Sequence, residues 1–392
     1  MTTKHVCMIA YTNYSTDARV RREAETLAET GEFNVTFLSL MEGKTARSYV
    51  RDGVHVRELR IRKYRGKNRV RYILSYFLFL ALAFLECAGR ALTGKLDVAH
   101  VHNMPNFIVF AAIPAKCLGK KVILDIHDSV PETYLAKFSA GRPGILYKLL
   151  CMEERISCGI ADRIICVNHP QIEALVRRGM PAGKIVVSMN VPDPRLFPKT
   201  AGKTRSGGKT IRIVYHGTIT KRLGIDLAIR AVARLSKHFP DLRFIILGDG
   251  DDAAEFAALI QSLHAEETIR FENRMIPVED LKAFLSDMDI GIVANRKNIA
   301  TDLMLPVKML EYIALGIPVA APRLKTITWY FNDDMISFFE PENVDSIAGA
   351  IETLVRSPER RRRQSRNAGA FFEKYGWEKQ KHDLLNLYRK MA

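Results

Sequence analysis

The sequence predicts an α/β protein made of two doubly wound parallel-sheet domains in series. Three observations lead there. Short apolar runs alternate with amphipathic helical stretches along almost the whole chain, and that alternation implies parallel sheets covered on both faces. It breaks once, at 192–209 (PDPRLFPKTAGKTRSGGK), which has linker composition, and then restarts. At 392 residues the chain is long enough for two cores without covalent staples.

In the first half, 6–10 is an apolar run and so a strand. Residues 17–30 form an amphipathic helix with Val20, Ala24, Leu27 and Ala28 on one face and Gly31 as its stop, and 35–40 is the next strand. A helix over 72–92 leads to a strand at 98–101, a helix near 107–118 and a strand at 121–126. A helix at 145–160, a strand at 163–167, a helix at 170–178 and a strand at 185–187 complete the half. After the linker, strands are expected at 211–215, 243–247, 269–271, 290–293 and 318–320. The helices between and after them are expected at 225–238, 253–263, 278–286, 308–315 and 344–356, with an amphipathic helix at 377–391 closing the chain. The predicted domains are 1–199, joined by 376–392, and 200–375.

The charge is uneven. The whole chain carries 59 Lys and Arg against 43 Asp and Glu, a formal +16. Residues 1–199 hold 30 basic and 18 acidic residues, and the second half only 29 and 25. Between Arg51 and Arg71 nine basic residues face two acidic ones. The stretch suits an anionic partner or a solvated loop and helix face. Nucleic acid is the weakest of the anionic partners and none is expected, because no helix-turn-helix, zinc-finger or RNP-type pattern appears. The uncharged segment 72–85 (YILSYFLFLALAFL) follows directly. At fourteen residues it falls short of a bilayer span. It reads as a buried core helix, favoured by the strand after it, or as a helix in the membrane interface held by the adjacent cations. Six cysteines with no C-x-x-C pair predict reduced thiols in the cytoplasm, and Lys4 and His5 before the first strand do not form a signal peptide.

Three segments carry chemistry. At 216–224 (HGTITKRLG) a glycine-bearing loop runs into a helix, and Lys221 and Arg222 add charge to the free N–H groups, an arrangement that suits a pyrophosphate although it is no P-loop. At 305–319 (LPVKMLEYIALGIPV) Lys308 and Glu311 share one side of a first helical turn, where a carboxylate can accept ribose hydroxyls or simply form a surface ion pair. At 125–132 (DIHDSVPE) acids crowd His127, which could hydrogen-bond or protonate a substrate group, or the loop could cap the next helix through Asp128 or Ser129. His102 at the end of its strand, and Asp17 and Arg19, add a polar rim at the same edge. Gly248-Asp249-Gly250 lines a pocket or turns the chain.

Together these segments resemble the retaining glycosyltransferases of family GT4, with the GT-B fold. The match covers nearly the whole chain: Asp17-Ala18-Arg19-Val20 with Glu23-Ala24, then Ala161-Asp162-Arg163-Ile164-Ile165, Asn190, the P-x-K-x-x-E-Y-x-A-x-G-x-P-V pattern of 305–319, and the last helix from Trp377, similar to the one that crosses back onto the first domain. The resemblance implies an interdomain cleft and a nucleotide-diphosphate-sugar donor held by the second domain. Glu311 would bind the ribose, Lys221 or Arg222 the diphosphate, and the base would rest near Arg274 and Met275, with Gly217, Thr218, Asp302, Pro306 and Lys308 completing the donor site. His127 would contact the transferred sugar. Asp17, Arg19, His102 and Asp128 would face an acceptor, expected to be a glycan or a lipid-linked glycan of surface polysaccharide synthesis. No D-x-D metal cluster is expected at a strand end, so a metal-independent reaction is expected, with cations in the place of the metal, and no cofactor is implied. Peripheral contact with an anionic membrane through 51–85 is expected, on the inner face.

The sequence departs from the family at three positions: Leu303 stands at the first Glu of E-x7-E, with Asp302 adjacent, and Thr218 and Leu223 replace usual cations. Alternatives are another GT-B enzyme (an epimerase, or an inverting transferase with His127 or Asp17 as base) and a nucleotide-sugar-binding protein without turnover.

Overall fold

The computed structural model describes residues 3–64, 66, 68–138, 143–200 and 210–391. The chain forms two compact units, Met1–Asn190 with Glu378–Ala392, and Val191–Trp377. The dividing point lies nine residues before the one the linker composition suggests, and residues 201–209 of that linker lie outside the described residues.

The first unit contains β1 (Lys4–Ile9), α1 (Ala18–Glu29), β2 (Phe33–Leu40), β3 (Ser48–Arg51), β4 (Val54–Leu59), α2 (Arg69–Leu92), β5 (Val98–His102), α3 (Ile113–Cys117), β6 (Lys121–Ile126), α4 (Val130–Phe138), α5 (Ile145–Ile160), β7 (Arg163–Cys166), α6 (His169–Arg177) and β8 (Ile185–Val187). A 3-10 turn, Asn106–Ala112, precedes α3. The sheet order is β3-β4-β2-β1-β5-β6-β7-β8, parallel except for β3. Alternate residues of β1 feed opposite cores. Cys7 and Ile9 pack under α2 and the 3-10 turn, while Val6 and Met8 pack with Val20, Ala24 and Leu27 of α1.

The second unit contains β9 (Ile211–His216), α7 (Ile225–Leu235), β10 (Leu242–Gly248), α8 (Ala253–Ser262), β11 (Ile269–Asn273), α9 (Val278–Leu285), β12 (Ile290–Ile292), α10 (Val307–Ala314), β13 (Val319–Pro322), α11 (Lys325–Tyr330), β14 (Ser337–Phe339), α12 (Val344–Arg356), α13 (Pro358–Gly369) and α14 (Phe371–Tyr375). Its order, β11-β10-β9-β12-β13-β14, is wholly parallel. Both sheets reverse their winding beside their own first strand, between β1 and β5 and between β9 and β12. Such switch points are where open α/β sheets hold ligands, beyond the carboxyl ends of the strands.

The last helix, α15 (Trp377–Met391), returns to the first unit. Leu384, Leu385 and Tyr388 join the core under α1, and the Tyr388 hydroxyl lies 2.6 Å from Nδ1 of the buried His100. Gln380 Oε1 accepts the Met189 N–H at 2.8 Å. Tyr388→Phe removes the hydroxyl and leaves a buried imidazole nitrogen without its partner, so stability should fall by about 1–3 kcal/mol in a denaturant melt.

Two parts differ from expectation. β3 and β4 occupy part of the basic stretch, where no strand was expected. In β4 Val54, Val56 and Leu59 are buried in the cores, while His55 and Arg57 between them face solvent and break the apolar run. The 72–85 segment belongs to the 24-residue α2, which by length and composition is long and apolar enough to cross a membrane, so neither the short-span nor the core-helix expectation holds. Phe79, Ala83 and Cys87 are fully buried, whereas Leu74 and Leu85 on the opposite side are 58% and 66% exposed. The six cysteines form no disulfide.

Candidate functional site

The second unit's switch point is built on glycines. Where β9 ends, Gly217 takes φ +106°, and its α-carbon faces Lys308: a Cβ there would lie 3.2 Å from Nζ. At Gly224 (φ +66°), a Cβ would lie 2.0 Å from the Ala294 carbonyl oxygen, just past β12. Glycine therefore lets the loop into α7 press against the neighbouring strand end. The loop is also tied to the end of β10, through Gly217 N–H to Leu247 O (2.9 Å) and Ile219 N–H to Asp249 O (3.0 Å).

Helix α10 brings Lys308 and Glu311 to this end of the sheet. Its N-cap is Pro306, which gives no side-chain cap, so the first turn leaves backbone N–H groups open. Lys308 extends under the loop until Nζ stands 3.7 Å above the centroid of the Tyr215 ring. Among the described residues that buried ammonium nitrogen has no hydrogen-bond partner. Burial pushes its pKa down to about 7, against the opposing pull of Glu311. The Glu311 carboxylate is 3.1 Å from His216 Nε2, and the Tyr312 hydroxyl accepts the His216 N–H at 3.1 Å. Sequence reasoning misses Tyr215 and Tyr312. The available signals are slight: one Tyr directly follows Glu311, and the other stands two residues before Gly217.

The other donor-side residues divide. Arg222 approaches Tyr215 closely enough to favour its ionised form, against burial. Thr218 is exposed, and its carbonyl accepts the Tyr215 hydroxyl at 2.8 Å. Met275 is 66% exposed beyond β11, and Arg274 there is held by Glu272 at 2.7 Å. Pro306 is buried at the head of α10. Two expectations need correction. Lys221 Nζ binds Glu255 at 2.7 Å on the surface, so its charge is already countered. Asp302 cannot stand in freely for the Glu missing at Leu303, because its Oδ1 accepts the Lys325 N–H at 3.1 Å at the head of α11.

The expectation that no D-x-D stands at a strand end is corrected by Asp249-Gly250-Asp251, which has that spacing just past the end of β10. Both acids are exposed, and Asp249 Oδ1 accepts the Gly250 N–H of its own turn at 2.8 Å.

The first unit's strand ends gather a second cluster. Arg19 Nη2 donates to both Asp125 oxygens at 2.8 Å, and Arg19 Nε lies 3.3 Å from Glu23. Burial opposes the Asp125 charge, but Arg19 and His127 overcome it and hold the carboxyl well below the usual range. Burial pushes Glu23 up and His100 well below its ordinary value. Glu23, His100, His102 and Asp125 offer ligand atoms within 4.8 Å of one another, yet Arg19 already supplies positive charge to both carboxylates. His127 Nε2 is 3.1 Å from both Asp125 Oδ2 and His102 Nδ1, and its ring is 20% exposed. The structure thus corrects the acceptor-side expectation for Arg19 and His102, which are buried supports. Asp17 caps α1 through the Val20 N–H. Asp128 remains exposed, and its carbonyl is bound by Asn103.

Two family profiles match in tandem. Glycosyltransferase Family 4 covers residues 18–194, and Glycosyl transferases group 1 covers 197–371. The chain belongs to the GT4 glycosyltransferase family. Similar curated proteins include a phosphatidylinositol N-acetylglucosaminyltransferase component from Arabidopsis thaliana, 22% identical over 67% of this chain and 55% of that protein. Another is the amylovoran biosynthesis glycosyltransferase AmsK of Erwinia amylovora, 25% identical over 45% of this chain and 43% of that protein. The chain spans about half the length of the curated relatives it matches. Among solved structures, sucrose-phosphate synthase from Thermosynechococcus elongatus superimposes with a TM-score of 0.78 at 17% identity, covering 99% of both chains. The GT-B fold of this GT4 member is therefore the fold the sequence predicted.

Proposed function

We propose that this GT4 protein is a retaining glycosyltransferase that moves a sugar from a nucleotide-diphosphate donor to a hydroxyl of a glycan, most simply a lipid-linked glycan in surface polysaccharide synthesis. The observation that carries the reading is Glu311 one helical turn from Lys308, whose buried ammonium has no hydrogen-bond partner among the described residues, beside Gly217 at the switch point of the second sheet. Glu311 accepts the ribose hydroxyls. Lys308, Arg222 and the N-terminal end of α7 face the diphosphate. The base rests against the end of β11 near Met275.

In the reaction the bond between the anomeric carbon and the phosphate oxygen breaks as the acceptor oxygen bonds to that carbon on the same face. The acceptor's proton passes to the departing phosphate oxygen. Charge grows on that oxygen as the bond stretches, so preorganised cations lower the barrier most there. Those cations take the part a metal plays elsewhere, so activity should survive EDTA. His127 contacts hydroxyls of the transferred sugar, oriented by Asp125. No cofactor is required. The enzyme works in the cytoplasm, resting on the inner face of the membrane through residues 51–85.

The test has two stages. A thermal-shift panel of UDP-, GDP-, ADP- and dTDP-sugars identifies the donor, since a ligand that binds only the folded state raises Tm. NMR of the product then reports the anomeric configuration, which should equal the donor's. An inverted product points to the inverting alternative, with His127 as base. Leu303 favours one further reading, donor binding without turnover, which predicts a thermal shift but no product with any acceptor.

A further inference from the structure

Helices α2 and α5 flank the 3-10 turn Asn106–Ala112 on one face of the first unit's sheet. Phe77 stacks on Phe107 at 5.2 Å, and Asn106 reaches Glu153 of α5 at 3.1 Å. Both helices present apolar side chains outward. Leu74, Phe77 and Leu85 of α2 are 52–66% exposed, and Ile145, Leu149 and Met152 of α5 are 48–81% exposed. A helix resting on a water-washed sheet normally carries polar residues there. The sequence pattern does not single out the apolar row on α5.

Beside this row lie two cation-lined cavities. One of about 800 Å³ lies between β4 and the second half of α2, and includes Arg57, Arg60, Arg90 and Lys95. Glu86 holds Arg57 at 2.6 Å and stands 4.0 Å from Arg90, and Glu58 holds Arg47. Arg60 and Lys95 have no carboxylate partner among the described residues. The second, of about 460 Å³, sits beside the first half of α2 and is lined by Arg62, Lys63 and Arg71, with no carboxylate among the described residues. Positions 71, 74, 75, 78, 82, 85, 86, 89 and 90 line the two in turn, in steps of one, three and four, so both open along a single stripe of α2.

We propose that this face seats on an anionic bilayer, with α2 and α5 in the plane of the interface and phospholipid headgroup phosphates in the two cationic cavities. The proposal rests on the peripheral-membrane reading above and adds the headgroup sites and the second helix. An apolar row edged by cations matches the layering of acyl chains beside phosphates. The buried stripe Phe79, Ala83 and Cys87 keeps α2 on its sheet, so it lies along the membrane and does not cross it. A second copy of the chain would bring like cations together, which favours lipid as the occupant.

The experiment is co-sedimentation of the full chain with phosphatidylcholine vesicles, with and without phosphatidylglycerol. The wild type should be retained by the anionic vesicles and released by salt. Arg60→Ala/Lys95→Ala should weaken retention about 30-fold, and Leu149→Glu/Met152→Glu should abolish it, with circular dichroism and Tm unchanged because all four side chains face outward. Inorganic phosphate should not compete. If the wild type is not retained, the membrane reading itself falls. If it is retained equally by the Arg60/Lys95 variant, or displaced by inorganic phosphate, the headgroup proposal falls and the membrane reading stands. A wild type that ignores vesicles but forms a dimer broken by Leu149→Glu/Met152→Glu would assign the face to self-association.

Discussion

Lys308→Met should lower kcat about 10²–10³-fold, because it removes a preorganised charge at the leaving phosphate. Circular dichroism should be unchanged, since Met fills a similar volume without an ammonium to bury. The same residue sets a pH dependence. With burial holding its pKa at about 7 against 10.5 in the unfolded chain, the unfolded state binds more protons between those values, and stability rises with pH across that window. Donor binding runs the other way. A diphosphate favours the charged amine, so binding takes up a proton above pH 7, and donor Kd should weaken by up to tenfold per pH unit until the pKa of the complex is reached. Calorimetry in buffers of different ionisation enthalpy measures that proton. Lys308→Arg keeps the charge at every pH and should flatten the slope. A Met variant that turns over normally would remove Lys308 from the reaction.

His127→Ala should separate binding from transfer. Donor Kd should stay within about twofold while kcat falls about 10²-fold. His127 is the part of its cluster that reaches solvent, while Arg19, His102 and Asp125 behind it are buried. Asp125 holds the imidazole at 3.1 Å, and Arg19 secures the Asp125 charge. Equal losses in Kd and kcat would mean that His127 acts only by shaping the site.

Much of this is legible in the sequence, for physical reasons. Parallel strands buried on both faces, such as β1, β6 and β10, leave continuous apolar runs that mark them out. β3 and β4 lie at the sheet edge, where solvated Arg and His interrupt the run, and they read as loop. In α2 apolar residues stand on every side, and composition does not say which side a sheet will cover. At the site, Lys308 and Glu311 are legible because their spacing puts them on one side of a turn. Tyr215 and Tyr312 are not, since a buried phenol looks like any core aromatic until its hydroxyl is traced to a partner. Lys221 misleads because its countercharge, Glu255, lies 34 residues along the chain on α8. Arg19 and His102 mislead because a polar residue at a strand end does not reveal whether it faces outward.

The central claim is that α10 grips a nucleotide-linked sugar. Its most direct test is calorimetric titration of wild type and Glu311→Ala with the nucleotide sugar that gives the largest thermal shift. One donor should bind per wild-type chain, and affinity should drop at least about 30-fold in the variant, as expected when charge-assisted hydrogen bonds to a ribose are lost. Equal affinity of the two proteins, with Glu311→Ala fully folded, would contradict the claim.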